Sequence, residues 1–202
     1  KSLLSVIDLS ATCLELAGIE KPDAIQGQSF IPILKNPEAK IRNMVFAEHN
    51  WHDFDDHSRS VHSVRFNFIR NEYTDVAGTP PADAVRSLTF QAMRRLRDAG
   101  KLTSDQQGCF TVPRPREELY DVVADPFELH NVAADPKHAR VLAEMREALL
   151  AWQRETADRV PSKRRADEFD RETGERLAKF RRSKGKKKKK PMAKGKKYGK
   201  KY

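Results

Sequence analysis

Residues 117–156 read EELYDVVADPFELHNVAADPKHARVLAEMREALLAWQRET, and their pattern decides the fold. Glu118–Asp121 predicts a short strand. Asp125-Pro126 and Asp135-Pro136 are turn or helix-start dipeptides. Asp135 suits an N-cap, and Pro136 suits the first helical position, where a missing N–H costs nothing. From 136 to about 156, Val141, Met145, Leu149 and Trp152 recur every three or four residues, with Leu142 alongside. That is the spacing of one helical face. Lys137, Arg140, Glu144, Glu147 and Arg154 occupy the other face. Such a helix must bury its stripe, so it is expected to lie on a sheet with the apolar side down.

Upstream, the strands of that sheet come into view. Met44–Glu48 predicts a strand, then Arg59–Ser63 and Phe66–Arg70 predict two more, with a tight turn near Val64. Residues 2–17 predict a helix on Leu3, Val6, Ile7, Cys13, Leu14 and Ala17, with Ser2 as a cap and Gly18 as a stop. Cys13 falls on the apolar pattern and reads as a small core residue. Residues 19–43, with Pro22, Pro32 and Pro37, read as loop with a short helical turn at Phe30–Leu34. Residues 72–86 also read as loop. Ser87–Ala99 predicts a helix with Leu88, Met93 and Leu96 as its apolar side, and Thr103 suits the cap of another short one.

Charge divides the chain. Of its 202 residues, 163–202 hold 19 Lys and Arg against 5 Asp and Glu, and the first 162 hold 20 against 24. The net charge of +10 is therefore a mildly acidic body with a basic end, and a nucleic-acid reading of the whole chain is misplaced. Residues 164–182 are charge-dense with transient helicity expected, and the Lys/Gly run 183–202 is too polar to bury a core and is expected to be disordered. No apolar run approaches the roughly 20 residues of a membrane-spanning helix. No signal peptide is visible, and the chain opens on Lys1, not Met, and enters a helix directly, which suggests a continuation of something longer. Cys13 and Cys109 match no close-paired metal pattern.

The densest polar chemistry is EHNWHDFDDH at 48–57, with three histidines, three aspartates, one glutamate and an indole. It reads as a loop after a strand, and three readings compete. His49 and His52 with Asp53, Asp55 or His57 can ligate a metal. The loop can contact a substrate. Or it is polar surface with Trp51 and Phe54 packed beneath. Arg59, His62, Arg65 and Arg70 on the following hairpin can bind an anion or simply form the solvated face of a sheet. The Lys-rich end can hold an acidic polysaccharide, nucleic acid or anionic lipid without specificity. No Gly-rich phosphate loop and no G-x-S-x-G elbow is present.

Taken together, the motifs resemble the sulfatase family. SVIDLSATCLELAGI at 5–19 and QGQSFIPIL at 26–34 resemble the helix and segment that follow the catalytic half of the sulfatase fold. FAEHNWHDFDDHSRSVHSVRFNFIRN at 46–71 resembles the strand, loop and hairpin of the C-terminal subdomain in sulfamidase-like members, the heparan N-sulfatase or N-sulfoglucosamine sulfohydrolase branch. EELYDVVADPFELHNVAADP at 117–136 resembles the family's E-L-Y-D…D-P-x-E-x-x-N-L run, and LLAWQRETAD at 149–158 closes the subdomain. The resemblance covers about residues 2–158.

It implies an α/β, alkaline-phosphatase-like protein of which this chain is the C-terminal α+β subdomain, about four antiparallel strands packed by a long helix. The implied organisation is a helix and linker over 1–43, the subdomain over 44–160 and a Lys-rich disordered tail over 161–202. The E-L-Y-D run reads as structural: Leu119 toward the core, Tyr120 buried with its hydroxyl paired, Asp125-Pro126 in a turn, and Glu128 and Asn131 tying local backbone.

Sulfatases use a formylglycine made within C/S-x-P-S-R and a calcium ion that polarises sulfate oxygens while the formylglycine hydrate attacks sulfur. Cys13 is followed by Leu-Glu-Leu and Cys109 by Phe-Thr-Val, so this chain carries neither that motif nor the calcium ligands. The resemblance implies a substrate-pocket wall at Glu48, His49, His52 and Asp53, a sulfated saccharide as substrate, a separate N-terminal catalytic domain as partner, and a periplasmic or extracellular setting. Trp51 is placed to stack on a sugar or to hold the loop. His62 stands where relatives often carry Arg. The alternative is a non-catalytic binding module whose basic tail holds acidic polysaccharide or nucleic acid.

Overall fold

Four strands pair in chain order in one antiparallel sheet: β1 (Val45–His52), β2 (Phe54–His62), β3 (Phe66–Asn71) and β4 (Glu117–Asp121). The computed structural model that shows this describes residues 2–180. The helices are α1 (Asp8–Leu16), α2 (Ile31–Lys35), α3 (Ala82–Val85), α4 (Leu88–Asp98) and α5 (Ala139–Thr156). Register aligns Phe46, Val61, Phe68 and Leu119 in one row across all four strands. Val61, Phe68 and Leu119 are fully buried under Leu142, Met145 and Leu149 of α5, and Phe46 stacks on Trp152 at 5.5 Å. The expected sheet and its covering helix are therefore both present, with the expected residues in contact.

Two residues farther along each strand, the same face turns charged. Glu48, Arg59, Arg70 and Glu117 form the next row. Arg59 is only 3% exposed. Its Nε and Nη2 donate to Asp158 at 2.9 and 2.7 Å, just beyond the end of α5. Arg59 thus belongs neither to a solvated face nor to a free anion site, because a carboxylate from the helix end already saturates it.

Asn131 has a specific task at the edge of the sheet. Its Oδ1 accepts from Leu119 N at 2.9 Å and Ala133 N at 3.0 Å, and its Nδ2 donates to Glu117 O at 3.1 Å. Together with the Val132 N–H on Leu119 O, the amide closes the outer edge of β4 as a further strand would. Glu128 departs from expectation: at φ 53 it accepts from the side chain of Asn67, not from local backbone. Tyr120 donates its hydroxyl to Glu118. Asn131→Ala removes three hydrogen bonds at a partly solvated edge, and a loss of about 1 kcal/mol of unfolding free energy is expected in urea titration.

α1 presents an inverted pattern. Asp8, Ala11 and Thr12 are its buried residues, whereas Val6 is 88% and Leu16 68% exposed. Asp8 accepts from Ser5 N at 2.8 Å and Gln28 N at 2.9 Å and pairs with Arg42. Thr12 accepts from Phe30 N. Gly27 makes this approach possible, because a Cβ there would sit 2.0 Å from Ile7 O. Cys13, expected in the core, is exposed for the same reason: the polar side of α1 faces the rest of the chain.

Further differences lie between residues 72 and 180. α4 buries Phe90, while Leu88, expected on its apolar side, is 83% exposed. Phe90 joins Phe54, Ala82 and Val85 in a second apolar cluster, to which Phe169 is packed. Phe169 and Arg176 pair in an antiparallel bridge. The chain therefore does not dissolve into a tail after residue 160. It returns as a strap over 163–180, held by charge pairs and backbone hydrogen bonds that an apolar count does not register. Residues 181–202, the greater part of the expected Lys-rich tail, lie outside the described residues.

Candidate functional site

The polar stretch 48–57 is not a loop but the tip of the β1–β2 hairpin. Its turn is a single residue, Asp53, with a left-handed φ of 66. Pairing runs His49 to Ser58 and then Trp51 to Asp55, so Asp56 and His57 together oppose Asn50 in a bulge. A bulge rotates local side chains and leaves backbone groups free of the ladder. Asn, Asp and Gly normally mark such turns, but an Asp flanked by His52 and Phe54 carries no distinctive hairpin signal.

The four candidate residues separate into distinct surroundings. Glu48 is half-exposed, 3.5 Å from Arg59, and accepts from Asn50 Nδ2 at 3.3 Å. It lies on the wall of a cleft of about 840 Å³ that also takes in Arg42, Phe46, Trp152 and Glu155. His49, 54% exposed, points Nδ1 at Asp56 Oδ2, 3.4 Å away. His52 is exposed. Asp53 serves the hairpin itself: its Oδ2 accepts from Ala82 N at 2.9 Å and its carbonyl accepts from Glu168 N at 3.2 Å.

Asp56 is the residue that sequence reasoning missed. It accepts from His57 N at 2.7 Å and is clasped by Arg114, whose Nη1 lies 3.2 Å from Oδ2. Burial works against its charge. Hydrogen bonds from His49 and Arg114, the Arg114 charge and the His57 amide outweigh that and hold its carboxyl well below the usual range. Asp56 is thus a fixed anion beneath His49. Arg114 is itself pinned by Tyr73 O at 3.0 Å. Arg114 lies 58 residues from Asp56, so no local spacing reveals the pair.

With Nδ1 directed at a carboxylate, that nitrogen carries a proton and Nε2 is the group presented outward. A neutral ring then accepts from a hydroxyl, and a protonated one donates to an anion. The metal reading of this stretch has no geometric support: among the described residues no three His, Cys, Asp or Glu side chains converge on a metal-sized site. The described residues therefore offer no cluster that would hold a calcium ion. His62, on the far face of the sheet beside Asn67, is partly buried, and that burial lowers its pKa against the pull of Glu128.

Residues 1–76, which include the whole hairpin, match the family model described as N-sulphoglucosamine sulphohydrolase, C-terminal. The chain belongs to the sulfatase family. It is 36% identical over 152 residues to an ulvan-active sulfatase of Formosa agariphila, covering 74% of this chain and 25% of that protein. It is 29% identical over 172 residues to the N-sulphoglucosamine sulphohydrolase of Homo sapiens, covering 78% and 34%. A solved structure, BT4656 in complex with its substrate D-glucosamine-2-N,6-O-disulfate, superposes with a TM-score of 0.51 at 22% identity, covering 76% of this chain and 24% of that one. At that identity the likeness is one of fold. This sulfatase chain spans about a quarter to a third of the length of these curated relatives.

Proposed function

We propose that the protein hydrolyses sulfate esters or N-sulfate groups of sulfated sugars, and that this chain forms its C-terminal portion and one wall of the substrate pocket. The observation that carries the reading is the overlap of the family match with the hairpin that displays Glu48 and His49. His49, oriented by Asp56, reads a sugar hydroxyl or sulfate, Glu48 accepts from hydroxyls at the cleft, and His52 borders them. Asp53 acts through the turn it makes. Formylglycine and calcium are assigned to the portion that the chain does not cover, so the chain by itself is inactive.

The outward apolar side of α1 supports the same reading. Val6, Leu9 and Leu16, with Leu34 of α2, are exposed as no helix facing only water requires. Their occupant is the N-terminal catalytic portion of the same protein. Residues 181–202, with 13 Lys and Arg and no acid, add charge complementary to a sulfated polymer. Such polymers are met in the periplasm or outside the cell, where the enzyme is placed.

The test is sulfate release. The coding sequence upstream of Lys1 is expected to contain C/S-x-P-S-R, and the complete enzyme to release sulfate from glucosamine-2-N,6-O-disulfate or another sulfated sugar. His49→Ala is expected to lower kcat/KM about tenfold, the scale of one lost hydrogen bond to a charged group. An upstream reading frame without that motif, or a variant as active as the parent, would remove the proposal.

A further inference from the structure

β3 ends too early to support the hairpin tip. The last pair between β2 and β3 is Ser58 with Asn71, and Glu72 N closes onto His57 O at 3.0 Å. Residues 54–56 of β2 therefore have no strand on that side, and their buried backbone groups need other partners. The strap supplies them. Asp167 Oδ1 accepts from Asp55 N at 2.9 Å, and Arg171 Nη2 donates to Asp55 O at 2.8 Å. Arg165 N donates to the Asp55 carboxylate at 2.8 Å, and Glu168 N donates to Asp53 O at 3.2 Å. Asp55 is only 7% exposed.

The grip is itself braced. Arg171 Nε donates to Asp167 Oδ2 at 2.6 Å, its Nη1 donates to Ala77 O at 3.2 Å, and its guanidinium lies 5.0 Å over the Phe54 ring. Arg165 lies 5.9 Å over Trp51. At the far end, Gly174 turns at φ +70 against α3, where a Cβ would sit 2.7 Å from Ala82 O. Glu172 receives two bonds from Arg97 there. Every polar backbone group of Asp55 on its open side is thus answered by a strap that is anchored at both ends.

We propose that the strap 163–180 is a clamp that sets the position of the β1–β2 hairpin tip, with Arg171 and Asp167 as its positioning residues. The inference deepens the proposed function and rests on the reading of the hairpin as the sugar-facing wall. Arg171 touches no substrate. It acts by fixing Asp55, two residues from the turn and opposite Trp51 in the ladder, and so limits where His49 and His52 lie.

Hydrogen exchange on the full 202-residue chain tests the clamp, and kinetics of the complete enzyme test its consequence. Arg171→Ala is expected to speed amide exchange over 49–57 about tenfold while α5 over 139–156 stays protected, since local opening is independent of the core there. On glucosamine-2-N,6-O-disulfate, KM is expected to rise severalfold with kcat nearly unchanged. Arg171→Lys keeps the charge but loses the forked geometry, and is expected to restore part of the protection; it decides the matter if the alanine variant unfolds. Unchanged exchange over 49–57 overturns the clamp whatever the kinetics. Faster exchange with unchanged KM upholds the clamp and overturns the assignment of the hairpin to the sugar.

Discussion

Replacing Arg59 by alanine is expected to lower the unfolding free energy by about 3–5 kcal/mol, because it leaves the Asp158 carboxylate without the charge that compensates its partial burial. Arg59 is nearly inaccessible and holds Asp158 by two bonds, donates to Ser58 O at 2.9 Å and lies 3.1 Å from His57 Nε2. Gln153 adds a third donor to Asp158 at 3.0 Å. The pair joins the middle of β2 to the end of α5, so its loss is felt by both layers. A urea midpoint that falls at constant slope in the variant is the expected result. A shift below about 1 kcal/mol would mean that the pair is no better than an exposed one.

Acid dependence gives the same prediction a second readout. Hydrogen bonds from Arg59, opposed by burial and aided by Gln153, lower the Asp158 pKa, and Asp56 is lowered as well. A carboxylate depressed in the folded state binds fewer protons there than in the unfolded chain. Its contribution is present above the unfolded value of about 4 and is lost as pH falls through the folded one. Stability is therefore expected to drop on acidification from pH 5, and Arg59→Ala should flatten that drop because Asp158 no longer titrates low.

Phe68→Ala is expected to cost about 3–5 kcal/mol, the range for an aromatic removed from a core that cannot collapse onto the gap. Phe68 is fully buried in a row with Val61 and Leu119, and the ladder on both sides holds the backbone in place. Against a typical domain stability of about 5–15 kcal/mol, such a loss takes up a large share. Thermal unfolding followed by circular dichroism measures it. Retention of the parental midpoint would show that α5 settles into the space.

The helix of 139–156 and the strand before it were legible because both obey local rules. Val141, Leu142, Met145 and Leu149 repeat at helical spacing, and the Asp135 cap is bonded to Lys137 N at 2.9 Å as its sequence implies. The E-L-Y-D run was legible as structure, and Asn131 ties backbone as expected. The hairpin tip was not. Glu48–His57 is too polar and too poorly alternating to read as strand, and it pairs with Asp53 turning in the left-handed region and the strap taking up the Asp55 backbone groups left open where β3 ends. The buried state of Arg59 was equally hidden, because arginine in a strand ordinarily signals solvent.

The same logic divides the whole molecule. By itself the amino-acid sequence determined the layer architecture, the family and the α5 face that covers the sheet, because periodicity and capping are properties of neighbouring residues. It also located the histidine-rich stretch and the basic end. Only the tertiary structure decided what those polar residues face. Asp56 meets Arg114, Arg59 meets Asp158 across 99 residues, and Asp55 meets Asp167 across 112. Charge pairs and backbone grips of that separation leave no periodic trace in the chain. Their partners are chosen by where the sheet and helix bring distant segments together.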